Sequence, residues 1–191
     1  MHASIDAARW VVEQHNIEPG DIEQIKIGVN NFGYKLFGQP ADAEITPRTV
    51  TDAQFSVAYV VAAVIVDGKV DLDSFTDEAI RRPEILQLLR KVETEIDADI
   101  DKESPRYPPI ASPGRVVIKT KQGKAYEKVV TFAKGNPKNP MTKEELTAKF
   151  YHCASHAAMA LPKKNLDRVV EMVDNLEELK DIREITALLV S

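Results

Sequence analysis

The sequence predicts an α+β fold. We expect a two-layer sandwich in which an antiparallel or mixed sheet of about four strands is covered by helices, with further helices at the C-terminus. Residues 115–121 and 125–132 alternate around Gln122-Gly123, which predicts a β-hairpin. Residues 25–29 alternate in the same way but lie between segments with helical periodicity. Strands that are separated by helices, with one hairpin among them, favour this class over an all-β or all-α fold.

The N-terminal part of the chain predicts a helix, a strand and a long loop. Apolar residues recur every three or four positions across residues 4–15, which predicts an amphipathic helix that Pro19-Gly20 ends. Residues 25–29 predict a strand. Residues 30–51 show no clean period, so we expect a long loop that carries Tyr34. Loops of this length are often functional.

The most apolar segment follows directly. We expect Asp52 to be the N-cap of a helix that includes the apolar run at residues 60–66 and stops at Gly68. Ser56 and Tyr59 lie within this segment. Their hydroxyl groups are expected to make structural hydrogen bonds where the helix packs.

The middle of the chain alternates short elements. Ser74 or Thr76 is expected to cap a short helix that ends at Arg82, and Pro83 occupies the first turn of another helix. Residues 92–96 alternate with charged residues and predict a strand. Residues 98–114 are first acidic and then rich in proline, so we expect an irregular connection before the hairpin.

The C-terminal residues predict helices. Thr142 and Glu145 have the spacing of a capping box, which predicts a helix from there to about residue 160. Pro162 interrupts it. Apolar residues at helical spacing predict a second helix over residues 166–176 and a last amphipathic segment over residues 179–189.

Composition excludes several classes of partner. The 191 residues carry 30 acidic and 25 basic side chains, for a net charge of −5, with no basic stripe. This argues against nucleic acid and against an anionic membrane surface as main partners. The run at residues 55–66 is shorter than the roughly 20 residues that span a bilayer. A single cysteine and a charged residue where a signal peptide would be apolar favour a soluble, cytoplasmic protein.

Two motifs resemble ligand sites but are explained better as structure. His152 and His156 lie four residues apart on a predicted helix, with Cys153 between them. This spacing can chelate a metal, but the sequence indicates no third ligand, so we expect no metal. The segment 135–142 resembles a phosphate-binding loop but lacks the Gly-Lys-Ser/Thr ending. We interpret it as a rigid turn that leads into the capped helix.

Tyr34 is the residue that the sequence itself marks as a candidate for binding. It follows a predicted strand within the long loop, close to Asn30 and Asn31. A phenol in that place can orient a carboxylate or hydroxyl of a substrate. The structural alternative, a tyrosine that only packs, stays open at this point.

Several segments in order resemble the MmgE/PrpD family, which includes 2-methylcitrate dehydratase, cis-aconitate decarboxylase and iminodisuccinate epimerase. The resemblance covers nearly the whole chain. It lies in the segments at residues 2–8, 22–29, 53–59 with Asp67-Gly68, 135–140 and 142–146, and in the closing helices. Each segment is loose alone, but their order and spacing make the resemblance fairly specific.

The resemblance implies a division of the chain and two site residues. Family members have a large helical domain first and a smaller α+β lid domain after it, with the active site between the two. By this resemblance, residues 1–140 are the lid-like domain. Residues 141–191 are a helical tail that packs on the upstream helical domain. His2 matches the histidine of a family motif, and Tyr34 matches a lid tyrosine that faces the substrate.

The resemblance also implies a chemistry. The family acts on citrate-like polycarboxylates without a metal or organic cofactor, by removing a proton next to a carboxylate. The chain is then the C-terminal part of such a lyase, inactive alone, whose partner is an upstream helical domain or a split-gene half. A homo-oligomer is expected. The alternative is a free-standing, non-catalytic α+β module for interaction or oligomerisation. A proton-abstraction site needs a base and an acid held together, and residues 1–191 show no such pair.

Overall fold

The chain divides into two units, Met1–Pro140 and Met141–Ser191. A computed structural model describes residues 1–38, 46–103 and 112–190. The roles of the two units as a lid and a tail stay predictions.

The first unit is built on a mixed β-sheet. Over the described residues the sheet has four strands: β1 (Ile22–Val29), β2 (Val92–Ile96), β3 (Gly114–Thr120) and β4 (Ala125–Val130). Their order is β2-β1-β3-β4, with β1 and β2 parallel and the other neighbours antiparallel. This confirms the predicted mixed sheet, the predicted hairpin and the predicted strand at residues 92–96.

Helices cover one face of this sheet. Helix α1 (His2–His15) lies against β3 and β4, and helix α4 (Val57–Asp67) packs on α1. The covered face is formed by isoleucines and valines at alternate strand positions, among them Ile25, Ile27 and Ile118, which are fully buried. The positions between them carry charged side chains such as Lys26, Arg115 and Lys119. The unit therefore has two layers, as the sequence predicts.

The apolar segment forms two helices instead of one. Helix α3 (Val50–Gln54) precedes α4, and Thr49 is its N-cap, so the prediction that Asp52 is an N-cap is wrong. Asp52 is instead the third residue of a capping box, in which its carboxylate accepts a hydrogen bond from the Thr49 amide. Ser56 caps α4 by accepting a hydrogen bond from the Tyr59 amide at 3.1 Å. Because Ser56 is an N-cap only seven residues after Thr49, a second helix begins there.

Two expectations for α4 are confirmed. Gly68 ends the helix with a φ of 72°, in the left-handed region that favours glycine. The hydroxyl of Tyr59, a fully buried residue, donates a hydrogen bond of 2.6 Å to the carbonyl of Ser74. Both hydroxyl groups in this segment are therefore structural.

The prediction of a long loop over residues 30–51 is wrong at residues 31–37, whereas residues 46–49 lie outside helices and strands as expected. Helix α2 (Asn31–Phe37) begins directly after β1. It forms because the side chain of Asn30 accepts a hydrogen bond of 2.7 Å from the Gly33 amide, which makes Asn30 an N-cap. The remainder of this expected loop, residues 39–45, lies outside the described residues.

The connection before the hairpin also begins with a helix, α6 (Ala98–Glu103). Asp97 caps it by accepting hydrogen bonds from the Asp99 and Ile100 amides. The irregular connection expected over residues 98–114 is thus wrong at its start, and residues 104–111 lie outside the described residues. Helix α5 (Pro83–Leu89) begins at Pro83, as expected. The short helix expected before it forms two 3₁₀ turns, Leu72–Phe75 and Ala79–Arg81.

The second unit is helical. It contains α7 (Lys143–Ser155), α8 (Lys163–Asp174) and α9 (Arg183–Leu188). The capping box of Thr142 and Glu145 is confirmed, but α7 ends at Ser155 and not near residue 160. The buried apolar cluster of this unit consists of Val169, Met172 and Ile185. A core of this size contributes little stability by itself.

Candidate functional site

Polar groups lie close together at the C-terminal end of the central strand β1. Here β1 continues into α2, and β2, which is parallel to it, continues into α6. Strand β3 begins beside this point, because Gly28 pairs with Arg115. We call this region the β1 edge. It has the same position as ligand-binding edges of other sheets, at the carboxyl end of parallel strands.

Tyr34 lies at the β1 edge on α2, not on a loop. Its ring is half-buried and packs against the main apolar core. The ring also lies close to Gly38, where a β-carbon would come within 2.7 Å of Tyr34 Cδ2 and of the Tyr34 carbonyl oxygen. Gly38 therefore leaves room for the ring. The backbone of α2 and the core together set the position of this phenol.

His2 lies at the same end of the sheet, on the first turn of α1, and is exposed. The turn is held against the start of β3 by a close backbone approach. A β-carbon on Gly114 would come within 2.5 Å of Ser4 Oγ, 2.7 Å of the Ser4 amide nitrogen and 3.1 Å of the Ala3 carbonyl carbon. Only glycine allows this spacing. The first turn of α1 therefore reaches the end of the sheet from which α2 and Tyr34 extend.

An ion pair links β3 to the chain that follows β2. Arg115 Nε donates a hydrogen bond of 2.6 Å to Asp97 Oδ2, and Arg115 also pairs with Glu127 on β4. Gly28 makes room for the pair, since a β-carbon there would lie 2.9 Å from Asp97 Oδ2 and 3.3 Å from Arg115 Cβ. Partial burial opposes ionisation of Asp97, but hydrogen bonds from the Ile100 amide and from Arg115 keep the pKa of Asp97 below its ordinary value.

This pair predicts a pH dependence of stability. Because the folded pKa of Asp97 is depressed, its stabilisation is complete above the unfolded value of about 3.9 and is lost as pH falls through the lower folded pKa. We expect Asp97→Asn to lower the free energy of unfolding by about 1–3 kcal/mol at pH 7. The difference from the native chain should shrink as pH falls below about 3.9, through the lower folded pKa. Urea unfolding at a series of pH values measures it.

The control for this experiment is Asp99→Asn on the same turn. The Asp99 side chain is 77% exposed and lies 3.9 Å from Arg115 Nη2. Its replacement should change the free energy of unfolding little across the pH series. A loss at Asp97 that does not shrink as pH falls would show that the ionised carboxylate does not cause it.

A cleft of about 430 Å³ lies next to α2. Among the described residues, its lining includes Lys35 and Arg48, and the stacked rings of Phe37 and Phe55, whose centroids are 6.0 Å apart. The Asp52 carboxylate also lies in this lining, so the described lining residues carry one positive charge in excess. Cations beside apolar rings suit an anion with a carbon skeleton, such as a carboxylic acid. Sequence reasoning missed this cleft, because Lys35 and Arg48 are thirteen residues apart and no local pattern joins them.

Several other charged and imidazole side chains take part in local structure. Arg82 pairs with Asp67 and Glu84 at 2.9 Å, and Lys163 pairs with Asp167 at 2.8 Å. In the second unit the rings of His152 and His156 lie 4.7 Å apart, and His156 Nδ1 is 2.9 Å from the His152 carbonyl oxygen. The expectation of no metal at these histidines stays a prediction.

The fold and the β1 edge define a class. This is an α+β domain with a mixed sheet, helices on one face, and a tyrosine-bearing helix at the end of its central strand. A family model of the MmgE/PrpD C-terminal domain matches residues 1–178. The chain therefore belongs to the MmgE/PrpD family and holds its C-terminal domain. The resemblance inferred from the sequence is confirmed.

Curated relatives agree with this family. The cis-aconitate decarboxylase of Homo sapiens is 28% identical over 194 residues, which cover 98% of this chain and 36% of the relative. The cis-aconitate decarboxylase-like protein oryM of Aspergillus oryzae is 31% identical over 147 residues, which cover 76% of this chain and 28% of the relative. The cis-aconitate decarboxylase of Mus musculus is 28% identical over 144 residues. The chain thus spans about a third of the length of the curated relatives that it matches.

Proposed function

We propose that this chain is the C-terminal part of a lyase that acts on citrate-like polycarboxylates without a metal or organic cofactor. The observation that carries the proposal is the family match over residues 1–178, together with relatives that are cis-aconitate decarboxylases. Decarboxylation of a cis-aconitate-like acid and dehydration of a 2-methylcitrate-like acid, as in propionate metabolism, share one requirement. A proton must move next to a carboxylate while charge builds up on oxygen.

The β1 edge offers two groups for this chemistry. In the proposal, the phenol of Tyr34 donates a hydrogen bond to a substrate carboxylate or to the oxygen on which charge develops. His2, exposed on the first turn of α1, is the candidate for proton transfer. Lys35 and Arg48 beside the cleft add positive potential that attracts a polycarboxylate.

The remaining catalytic groups come, in this proposal, from an upstream helical domain or a split-gene half. The charged cleft and the Tyr34 helix together give a way to bind and cover an acid. A proton abstraction also needs a base and an acid at matched distances in a site without water. The share of each relative that the chain covers, 36% or less in the three compared, supports a partner of this kind.

The second unit is proposed to pack on that helical domain. Several of its large apolar side chains are exposed: Leu146, Met159, Val173, Leu176, Ile182, Leu189 and Val190. Exposed apolar side chains in such number on a small helical unit indicate a surface that another protein surface covers. The same surface supports the alternative function, a free-standing interaction or oligomerisation module, and the proposed homo-oligomer.

The cellular location of the protein is a proposal as well. No helix among the described residues combines the length and the apolar character that crossing a bilayer requires. A cytoplasmic place for the assembled lyase is proposed from the single cysteine and from the lyase chemistry itself.

The experiment is an activity test of the chain alone and with a helical half. Purified chain is incubated with cis-aconitate, 2-methylcitrate and iminodisuccinate, and product is followed by NMR. We expect no turnover by the chain alone, and turnover of one acid when a helical half from the same genome is co-expressed and co-purifies. Robust turnover by the chain alone would contradict the partner requirement. A co-purified complex that turns over none of these acids would favour the interaction module.

A further inference from the structure

The polar contacts at the β1 edge form a continuous chain that ends on the Tyr34 helix. Strands β1 and β2 are parallel, and their last residues, Val29 and Ile96, are partners. The Asp97 amide then donates a hydrogen bond of 2.9 Å to the Val29 carbonyl. The sheet ladder therefore continues for one residue beyond β2, which places the start of α6 beside the start of α2.

Helix α6 holds the first turn of α2 directly. The amide of Asn31, the first residue of α2, donates a hydrogen bond of 2.7 Å to Asp101 Oδ1. First-turn amides have no acceptor within their own helix, so an acceptor must come from elsewhere. A carboxylate acceptor gives a charge-assisted bond, which is stronger than a bond between neutral groups. The side chain of Asn30, which is 3% exposed, accepts a hydrogen bond from the Gly33 amide of the same turn.

Helix α6 is itself held from the other side. Asp97 caps it through the Asp99 and Ile100 amides, and Arg115 on β3 donates to the same Asp97 carboxylate. Ile100 is 3% exposed. The start of α6 therefore has a backbone hydrogen bond to β1 and an ion pair with β3, and Ile100 of this helix is buried.

We propose that Asp101 is a positioning residue that sets the place of Tyr34 by holding the first turn of α2. Tyr34 is one turn further along the same short helix, so a shift of Asn31 moves the phenol. A helix of seven residues makes few backbone bonds of its own, and its ends depend on outside partners. The catalytic part of this inference rests on the proposed role of Tyr34, whereas the structural part does not.

The structural part is tested on the chain itself. We expect Asp101→Ala to raise the hydrogen-exchange rate of the Asn31 amide by about ten- to a hundredfold, the loss expected for one charge-assisted bond. NMR shifts should change across residues 31–37. Asp101→Asn keeps an acceptor oxygen and should restore most of the protection. Asp99→Ala, on the same helix, is the matched control and should leave both readouts unchanged. If Asp101→Ala leaves the Asn31 amide protected, the proposal fails.

The catalytic part is tested by a double-mutant cycle in the chain assembled with its helical half. We expect Asp101→Ala to lower kcat by about ten- to a hundredfold, with little change in KM, because a small misplacement of a reacting group is costly. In a Tyr34→Phe background the same change should have almost no further effect. Equal losses in both backgrounds would overturn the positioning role. If Tyr34→Phe alone has no effect, the proposed role of Tyr34 fails, and the exchange result still decides whether Asp101 holds α2.

Discussion

Tyr34→Phe is expected to lower turnover of the assembled enzyme by about ten- to a thousandfold, with the fold unchanged. The change removes one hydroxyl group, and the ring that packs on the core and beside Gly38 stays. The loss follows because a donor that is aimed at developing charge contributes more in the transition state than in the bound ground state. Steady-state kinetics on the polycarboxylate that the assembly accepts measures the effect, and urea unfolding checks the fold.

Tyr126→Phe is the matched control for this experiment. Tyr126 lies in the same unit at the hairpin end of the sheet, where it stacks on His15 at 4.0 Å. The same chemical change there should leave turnover within a factor of about two, as for surface changes away from a site. Full activity of Tyr34→Phe would reduce the role proposed for residues 1–140 to covering the substrate. An equal loss in both variants would indicate a general effect on the domain.

Gly114→Ala is expected to destabilise the first unit by roughly 3 kcal/mol, at the upper end for overpacking. The new β-carbon would meet backbone atoms of Ser4 and Ala3, which cannot turn aside as the end of a flexible side chain can. The first turn of α1 must then move away from β3, and His2 moves with it. Urea unfolding measures the loss of stability, and the NMR shifts of residues 2–8 report the displacement of the turn.

Gly20→Ala is the control for Gly114→Ala. Gly20 has no heavy atom within 4 Å of an added β-carbon, and it does not have a positive φ. Alanine there should therefore change stability by a few tenths of a kcal/mol at most, or raise it slightly through the unfolded chain. If Gly114→Ala were as mild as Gly20→Ala, the close approach of α1 to β3 would not be a constraint on the fold.

Local patterns predicted much of the fold. The hairpin depends on two alternating runs and a Gln-Gly turn, and the start of α7 depends on a capping box, so each is specified by residues within a few positions of one another. Gly68 ends α4 for an equally local reason. The sequence also indicated the family, because several loose segments in a constant order are together specific.

The predicted helix starts differ from the structure where two local sequence signals compete. Asn30 both ends a strand and caps a helix, and only the hydrogen bond to the Gly33 amide shows that α2 follows. Thr49 and Ser56 both offer caps around Asp52, and the chain uses both. Propensity cannot rank such signals, because packing of the resulting helices on the core decides between them.

The sequence by itself therefore determined the α+β class, the hairpin, the cap at Thr142, the helix stop at Gly68 and the family, since these depend on neighbours along the chain. Tertiary structure alone decided what lies at the β1 edge. Arg115 meets Asp97 across 18 residues, and the Asn31 amide meets Asp101 across 70. Such pairs leave no periodic trace in a sequence, because sheet register and the room left by Gly28 bring them together.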